Sequence, residues 1–195
     1  VVGFGDRALV SASLADGEIT HITNVEGNVF TGLSCLRADT GDVYFLMPSA
    51  NNSRIYDLRR YNLNSNIGFD LGSVSEEPMG FEVEDTDFWR LNGLVCDSDT
   101  DSLYVIRYVS RSSVRIYSEI AEITLDNMGS ESLFVKTGDT GLESWTAQQM
   151  LLADGRLVTN NRGDNGDILS ISVEDKSVET LFTNFTDFVS TFAVD

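Results

Sequence analysis

Residues 92–108 read NGLVCDSDTDSLYVIRY, a strand, a tight acidic turn and a second strand. The same sentence is spelled upstream at residues 31–46, TGLSCLRADTGDVYFL. Gly93-Leu94 matches Gly32-Leu33 and Cys96 matches Cys35, each 61 positions apart, while Leu103-Tyr104 matches Val43-Tyr44. Arg115-Ile116-Tyr117 then follows the later copy as Arg54-Ile55-Tyr56 follows the earlier one, again at 61. Self-similarity at a fixed period is the mark of a chain built from stacked units.

Outward from these copies, period-two alternation dominates. Arg7–Leu14, the turn Ala15-Asp16-Gly17-Glu18 and Ile19–Val25 read as a hairpin. In the first copy Val43 and Phe45 lie on one face, Tyr44 and Leu46 on the other, and both faces are apolar; a strand so patterned is buried between stacked sheets. A third strand spans Arg54–Leu63, Asn64-Ser65-Asn66 turns the chain, and Gly68–Val74 completes a set of four. Ser75–Pro78 reads as a loop, and Phe81–Trp89 as an insertion. The second copy runs Gly93–Cys96, Leu103–Tyr108, Val114–Leu125 and Ser132–Lys136, with a loop at Thr137–Glu143. A third, shorter unit runs Thr146–Leu152, the two-residue turn Asp154-Gly155, Arg156–Thr159, a polar loop Asn160–Asp167, Ile168–Val173 and Ser177–Phe182. Phe188–Asp195, FVSTFAVD, resembles Gly32–Asp39 and opens a further unit. Acidic turns at Asp39, Asp99, Asp154 and Asp195 step by 60, 55 and 41 residues. Only Leu142–Leu151 is compatible with a helix, and it falls where an opening strand belongs.

Four strands per unit, with the G-L-x-C, L-Y and R-I-Y signatures, resemble β-propeller repeat proteins of the NHL-like or gluconolactonase-like sort. The resemblance implies an all-β, β-propeller-like array of four-stranded antiparallel blades in one domain, residues 1–195. The expected division is a partial blade at 1–28, blades at 29–90, 91–144 and 145–187, and the start of another at 188–195. On this reading the chain begins in the third strand of one blade and ends in the first strand of another. Joining those ends leaves one strand missing, so the expected form is an open arc completed by another copy or chain segment.

The chain carries 13 basic and 31 acidic residues, a net charge of −18. Such a field repels phosphate backbones and anionic bilayers, which disfavours nucleic-acid and membrane-surface partners. It serves solubility, or it attracts cations and basic partners. No apolar run reaches the ~18 residues of a membrane span, and the opening VVGFGDRALV lacks the basic and apolar regions of a signal peptide. Cys35 and Cys96, placed at equivalent points of two copies, are expected to be buried free thiols.

Asp97, Asp99 and Asp101 alternate through a tight turn and are the candidate Ca²⁺ ligands. Ser102 and Tyr108 stand where an EF-type loop has Gly and Glu, and Val105 lacks an acid, so a plain polar hairpin turn is the competing reading. Arg162-Gly163-Asp164 matches an adhesion tripeptide in a loop. Asn51 and Asn184 head N-glycosylation sequons at turns. His21, the one histidine, lies in a strand without GxSxG or other triad context. Arg59, Arg60, Arg107, Arg111 and Arg115 sit among acids and read as ion-pairing residues. No catalytic residues are assigned. The expected function is a non-enzymatic extracellular or cell-surface interaction module, soluble, that binds a protein or glycan. The alternative is a Ca²⁺-dependent hydrolase of the gluconolactonase-like kind.

Overall fold

The structure, a computed structural model, describes residues 2–5, 8–13, 15–25, 33–50, 52–75, 84, 88–111, 114–137, 150–161 and 167–183. These residues form strands and turns, with no helix among them. The chain divides into two compact units, Val1–Val74 and Ser75–Asp195.

The first unit opens with β1 (Val2–Gly5), β2 (Ala8–Ala12) and β3 (Ile19–Asn24), an antiparallel sheet in that order. β2 and β3 are the expected hairpin. β1 was not legible, so the first sheet has one strand more than the sequence reading allowed. The second sheet holds β4 (Ser34–Arg37), β5 (Asp42–Ser49), β6 (Asn52–Asn62) and β7 (Ile67–Ser75) in up-and-down order. Six successive residues of β5, Asp42 to Met47, are buried. Val43, Phe45 and Met47 pack with Tyr61 against Leu9 and Val25 of the first sheet. Tyr44 and Leu46, on the other face, are buried as well, as two-sided apolar patterning requires.

The second unit repeats the plan. β8 (Phe88–Asp97), β9 (Ser102–Arg111), β10 (Val114–Thr124) and β11 (Ser130–Thr137) form one four-stranded antiparallel sheet. β12 (Met150–Ala153), β13 (Arg156–Asn161), β14 (Asp167–Ser172) and β15 (Val178–Phe182) form another. Phe88 and Trp89, read as insertion, belong to the opening strand β8. The residues expected to begin a further blade, 188–195, lie outside those described. Tyr104, Ile106 and Ile120 pack against Met150, Leu157 and Ile171 to make the core between these two sheets. The outer strands β7 and β15 are largely exposed. The β12–β13 turn is the expected two-residue hairpin: Asp154 and Gly155 have φ of 50° and 67°, the left-handed pair that a mirror-type turn demands.

The cysteines overturn an expectation. Neither is a free thiol; Cys35 and Cys96 are both disulfide-bonded. They are not equivalent positions either. Cys35 sits opposite Tyr44, whereas Cys96 sits opposite Leu103, and it is Val95 that faces Tyr104. Opposed residues share a face, so Cys35 lies on the Tyr44 face and Cys96 on the other one, because one residue of register reverses every side chain. The later copy has one residue fewer between its cysteine and the second strand. Gly93, at φ 65°, is bulged out of the ladder upstream. Alkylation of the unfolded, unreduced protein is expected to add no mass; modification of either cysteine would contradict the structure.

Candidate functional site

In the first unit an open cleft of about 510 Å³ lies where β3 approaches β6 and β7. That is the size range of small-ligand sites. Thr23, Asn24 and Val25 form one wall, Phe45 and Tyr61 the apolar floor, and Arg59, Arg60, Asn66, Phe69 and Asp70 the other side. Adjacent strand residues point to opposite faces, so the two arginines meet different partners. Arg59 Nε lies 2.9 Å from Asp70 Oδ1, an ion pair whose N–H is poorly aimed for a hydrogen bond. Arg60 lies over the Phe69 ring, its guanidinium carbon 4.5 Å from the centroid, a cation–π arrangement. The Asp42 carboxylate is 3.9 Å from Arg60 Nε, beyond bonding distance, and the same Asp42 oxygen accepts from Asn62 Nδ2 at 2.8 Å. A Cβ at Gly68 would lie 3.7 Å from the Tyr61 ring, an ordinary contact distance, so the packing there does not require glycine. The sequence reading placed Arg59 and Arg60 among ion-paired residues, which Arg59 with Asp70 is, and it did not find the cleft.

Next to the cleft, His21 Nε2 is 2.9 Å from Asn24 Oδ1, which makes the lone histidine an exposed strand residue tied to its own hairpin.

The acidic turn is organised around Asp97. Its Oδ1 accepts from the Asp99 amide at 2.8 Å, and its Oδ2 from the Thr100 hydroxyl at 2.8 Å and the Tyr104 hydroxyl at 3.3 Å. That is the geometry of a side chain mimicking a backbone turn. Asp97 is buried, while Asp99 and Asp101 are exposed. Asp101 takes a positive φ of 56°. Among the described residues no group of three or more His, Cys, Asp or Glu side chains is arranged to hold a metal ion. Asn51, Asn184 and Arg162-Gly163-Asp164 lie outside the described residues.

A third polar group lies deep in the second unit. Arg107 Nη1 donates to Glu119 Oε1 at 3.1 Å, the Tyr117 hydroxyl donates to Glu119 Oε2 at 2.8 Å, and Arg107 Nε donates to the Ser75 carbonyl at 3.1 Å. Arg107 thus ion-pairs as expected from sequence. Tyr104 and Tyr117 both hold their protons more tightly than a free phenol. Burial is the main cause in each; next to Tyr104 the charges of Glu122 and Asp97 add to it and push the hydroxyl up to about 12. A folded state that raises a phenol's pKa keeps its stabilisation below pH 10 and loses it as pH rises through about 12. Absorbance titration of the six tyrosines is expected to leave a late-ionising fraction at pH ~11 that unfolding in urea converts to ordinary phenols near pH ~10. Full ionisation of the native chain at its unfolded midpoint would count against these environments.

In strand number, order and direction the four-stranded sheets are β-propeller blades. No protein-family model matches the sequence, and no curated protein matches it. Among solved structures the chain is similar to a protein from Lactobacillus plantarum, at TM-score 0.54 and 13% identity over 91% of this chain and 48% of that one. It is similar at TM-score 0.54 and 11% identity to the acylaminoacyl peptidase of Pyrococcus horikoshii, over 90% of this chain and 28% of that one. The β-propeller domain of the Trilobed protease from Pyrococcus furiosus, described as having an open velcro topology, follows at TM-score 0.45 and 13% identity, over 96% and 55%. This chain therefore spans about half, or less, of the proteins it matches. At such identities what is shared is the fold: all-β, with four-stranded antiparallel blades.

Proposed function

We propose that the chain is a non-enzymatic interaction module that holds a protein or glycan partner, as part of an extracellular or cell-surface protein. The observation that carries this reading is the cleft of the first unit. Its walls mix guanidinium donors, amides and aromatic surface, the combination by which a site orients a ligand. The disulfide-bonded cysteines support an oxidising compartment. The finer likeness to NHL-like or gluconolactonase-like blades rests on the G-L-x-C, L-Y and R-I-Y signatures. Asp97 favours binding over calcium-dependent hydrolysis, because its oxygens already accept from Asp99, Thr100 and Tyr104.

The test is a panel of immobilised glycans and secreted proteins probed with the purified chain. Saturable binding that Asn24→Ala, in the cleft wall, weakens at unchanged Tm is the expected result. Calcium-dependent turnover of a lactone or ester, abolished by Asp99→Ala, would replace this reading with the hydrolase.

A further inference from the structure

The tripeptide Ala-Asp-Gly occurs twice, at Ala15-Asp16-Gly17 and at Ala153-Asp154-Gly155. Both copies lie at exposed turns, and in both the glycine has a positive φ. What holds them differs. The Gly17 amide donates to the Ser13 carbonyl at 3.0 Å, and Asp16 Oδ1 accepts from the Glu18 amide at 3.0 Å. The Glu18 amide first, and then Ser13, hold the Asp16 carboxyl below the usual carboxylate range. In the second copy, Asp154 and Gly155 stand outside the ladder that Ala153 and Arg156 close. The Gly155 carbonyl accepts from the Val173 amide at 3.0 Å, but among the described residues its own amide and the Asp154 carboxylate are in no hydrogen bond. A Cβ at Gly155 would meet nothing within 4 Å, so its amide stands in open space. Asp154 also takes a φ of 50°, which disfavours a residue that carries a Cβ. The related pair Asn92-Gly93 is shielded in another way: Asn92 is paired with Ile106 in the ladder, and Gly93 is buried.

We propose that Asp154-Gly155 is a site of spontaneous covalent modification, at which Asp154 becomes a β-linked isoaspartate. The Gly155 nitrogen attacks Asp154 Cγ. The N–Cγ bond forms, a carboxyl oxygen leaves as water with the amide proton, and a five-membered succinimide closes. Glycine has no side chain to obstruct that approach. Water then adds to the ring. Addition at Cγ restores aspartate; addition at the main-chain carbonyl carbon of Asp154 breaks its bond to Gly155 and routes the chain through Cγ, with a free α-carboxylate left behind. One water leaves and one returns, so the product has the mass of the parent. Only the two turn residues must rotate for the ring to close, and the product is released from the left-handed φ. The modification has a structural consequence. A two-residue turn sets Leu152 opposite Leu157, and Leu157 is fully buried in the core. An added backbone atom in that turn disturbs the register and loosens β12 from β13.

The experiment ages the whole, disulfide-intact chain in warm, mildly acidic buffer and maps its tryptic peptides over time. Isoaspartate is read by electron-transfer fragmentation and by methyl transfer from S-adenosylmethionine with an isoaspartyl methyltransferase. Trypsin separates the sites, since residues 8–37 carry Asp16 and residues 137–156 carry Asp154. The expected result is isoaspartate at Asp154 at least ~10-fold faster than at Asp16, where two hydrogen bonds must break first. In urea the two tripeptides should react at similar rates, because only the fold distinguishes them. The aged fraction should melt below the fresh one. Equal rates in the folded chain, a faster reaction at Asp16 or Asn92, or a difference that persists in urea would each overturn the assignment. So would an unmodified Asp154 in the folded chain over the time that the unfolded chain takes to react.

Discussion

Glu119→Ala is expected to cost about 3–5 kcal/mol of folding stability, the penalty for stranding one member of a buried ion pair. Glu119 has no exposed surface and Arg107 only 2%. Truncation strips Arg107 of its carboxylate and Tyr117 of its acceptor at once, in an interior that repays neither by solvation. A domain of ordinary stability holds about 5–15 kcal/mol in total, so the urea midpoint should fall by a large fraction while the slope stays the same. Replacing the whole group by apolar side chains, Arg107→Met with Glu119→Leu and Tyr117→Phe, should recover most of the loss, because the group itself then carries no charge. A loss below about 1 kcal/mol for the single substitution would mean that water reaches the pair.

The second large effect belongs to Ile120, on β10 opposite Ile106 and at the centre of the core formed with Tyr104, Met150, Leu157 and Ile171. Ile120→Ala deletes three carbons from a fully buried site shared by two sheets. The expected cost is about 2–5 kcal/mol, the transfer term plus the cavity left behind. Leu181→Ala on the outer strand β15, where Leu181 is 41% exposed, is the control and should stay within about 0.5 kcal/mol. Equal effects at the two positions would show that the β8–β11 and β12–β15 sheets do not share a core.

Strand positions, turns and two-sided burial were legible because they follow from local rules. Alternation marks faces, Asp-Gly marks a mirror-type turn, and apolar residues on both faces mark a strand between sheets. β1 was missed because VGFG carries two glycines and too little alternation to read. It is held by its pairing with β2, a tertiary fact. The cleft was missed for a similar reason. Asn24 stands far in sequence from Arg59 and Asp70, so only folding brings the cleft walls together, while the ion pair expected of Arg59 is formed with Asp70. The cysteines are different, since their signal was in view. Gly and Cys repeat at 61 but Leu-Tyr repeats at 60, and that one-residue discrepancy is the register difference the structure shows.

The slip in β8 makes the repeat a matter of parity. Aligned by cysteine, the two copies equate residues that look in opposite directions; aligned by Leu-Tyr, they equate residues that look the same way. A consensus averaged over the cysteine alignment would blend inward and outward positions and specify neither. The sulfur atoms depend on an odd count as well. One residue inserted between Cys96 and Asp97 would leave every letter of the motif intact and turn that cysteine to the Tyr104 side of its sheet, an edit nearly silent as text that reverses the direction of the side chain.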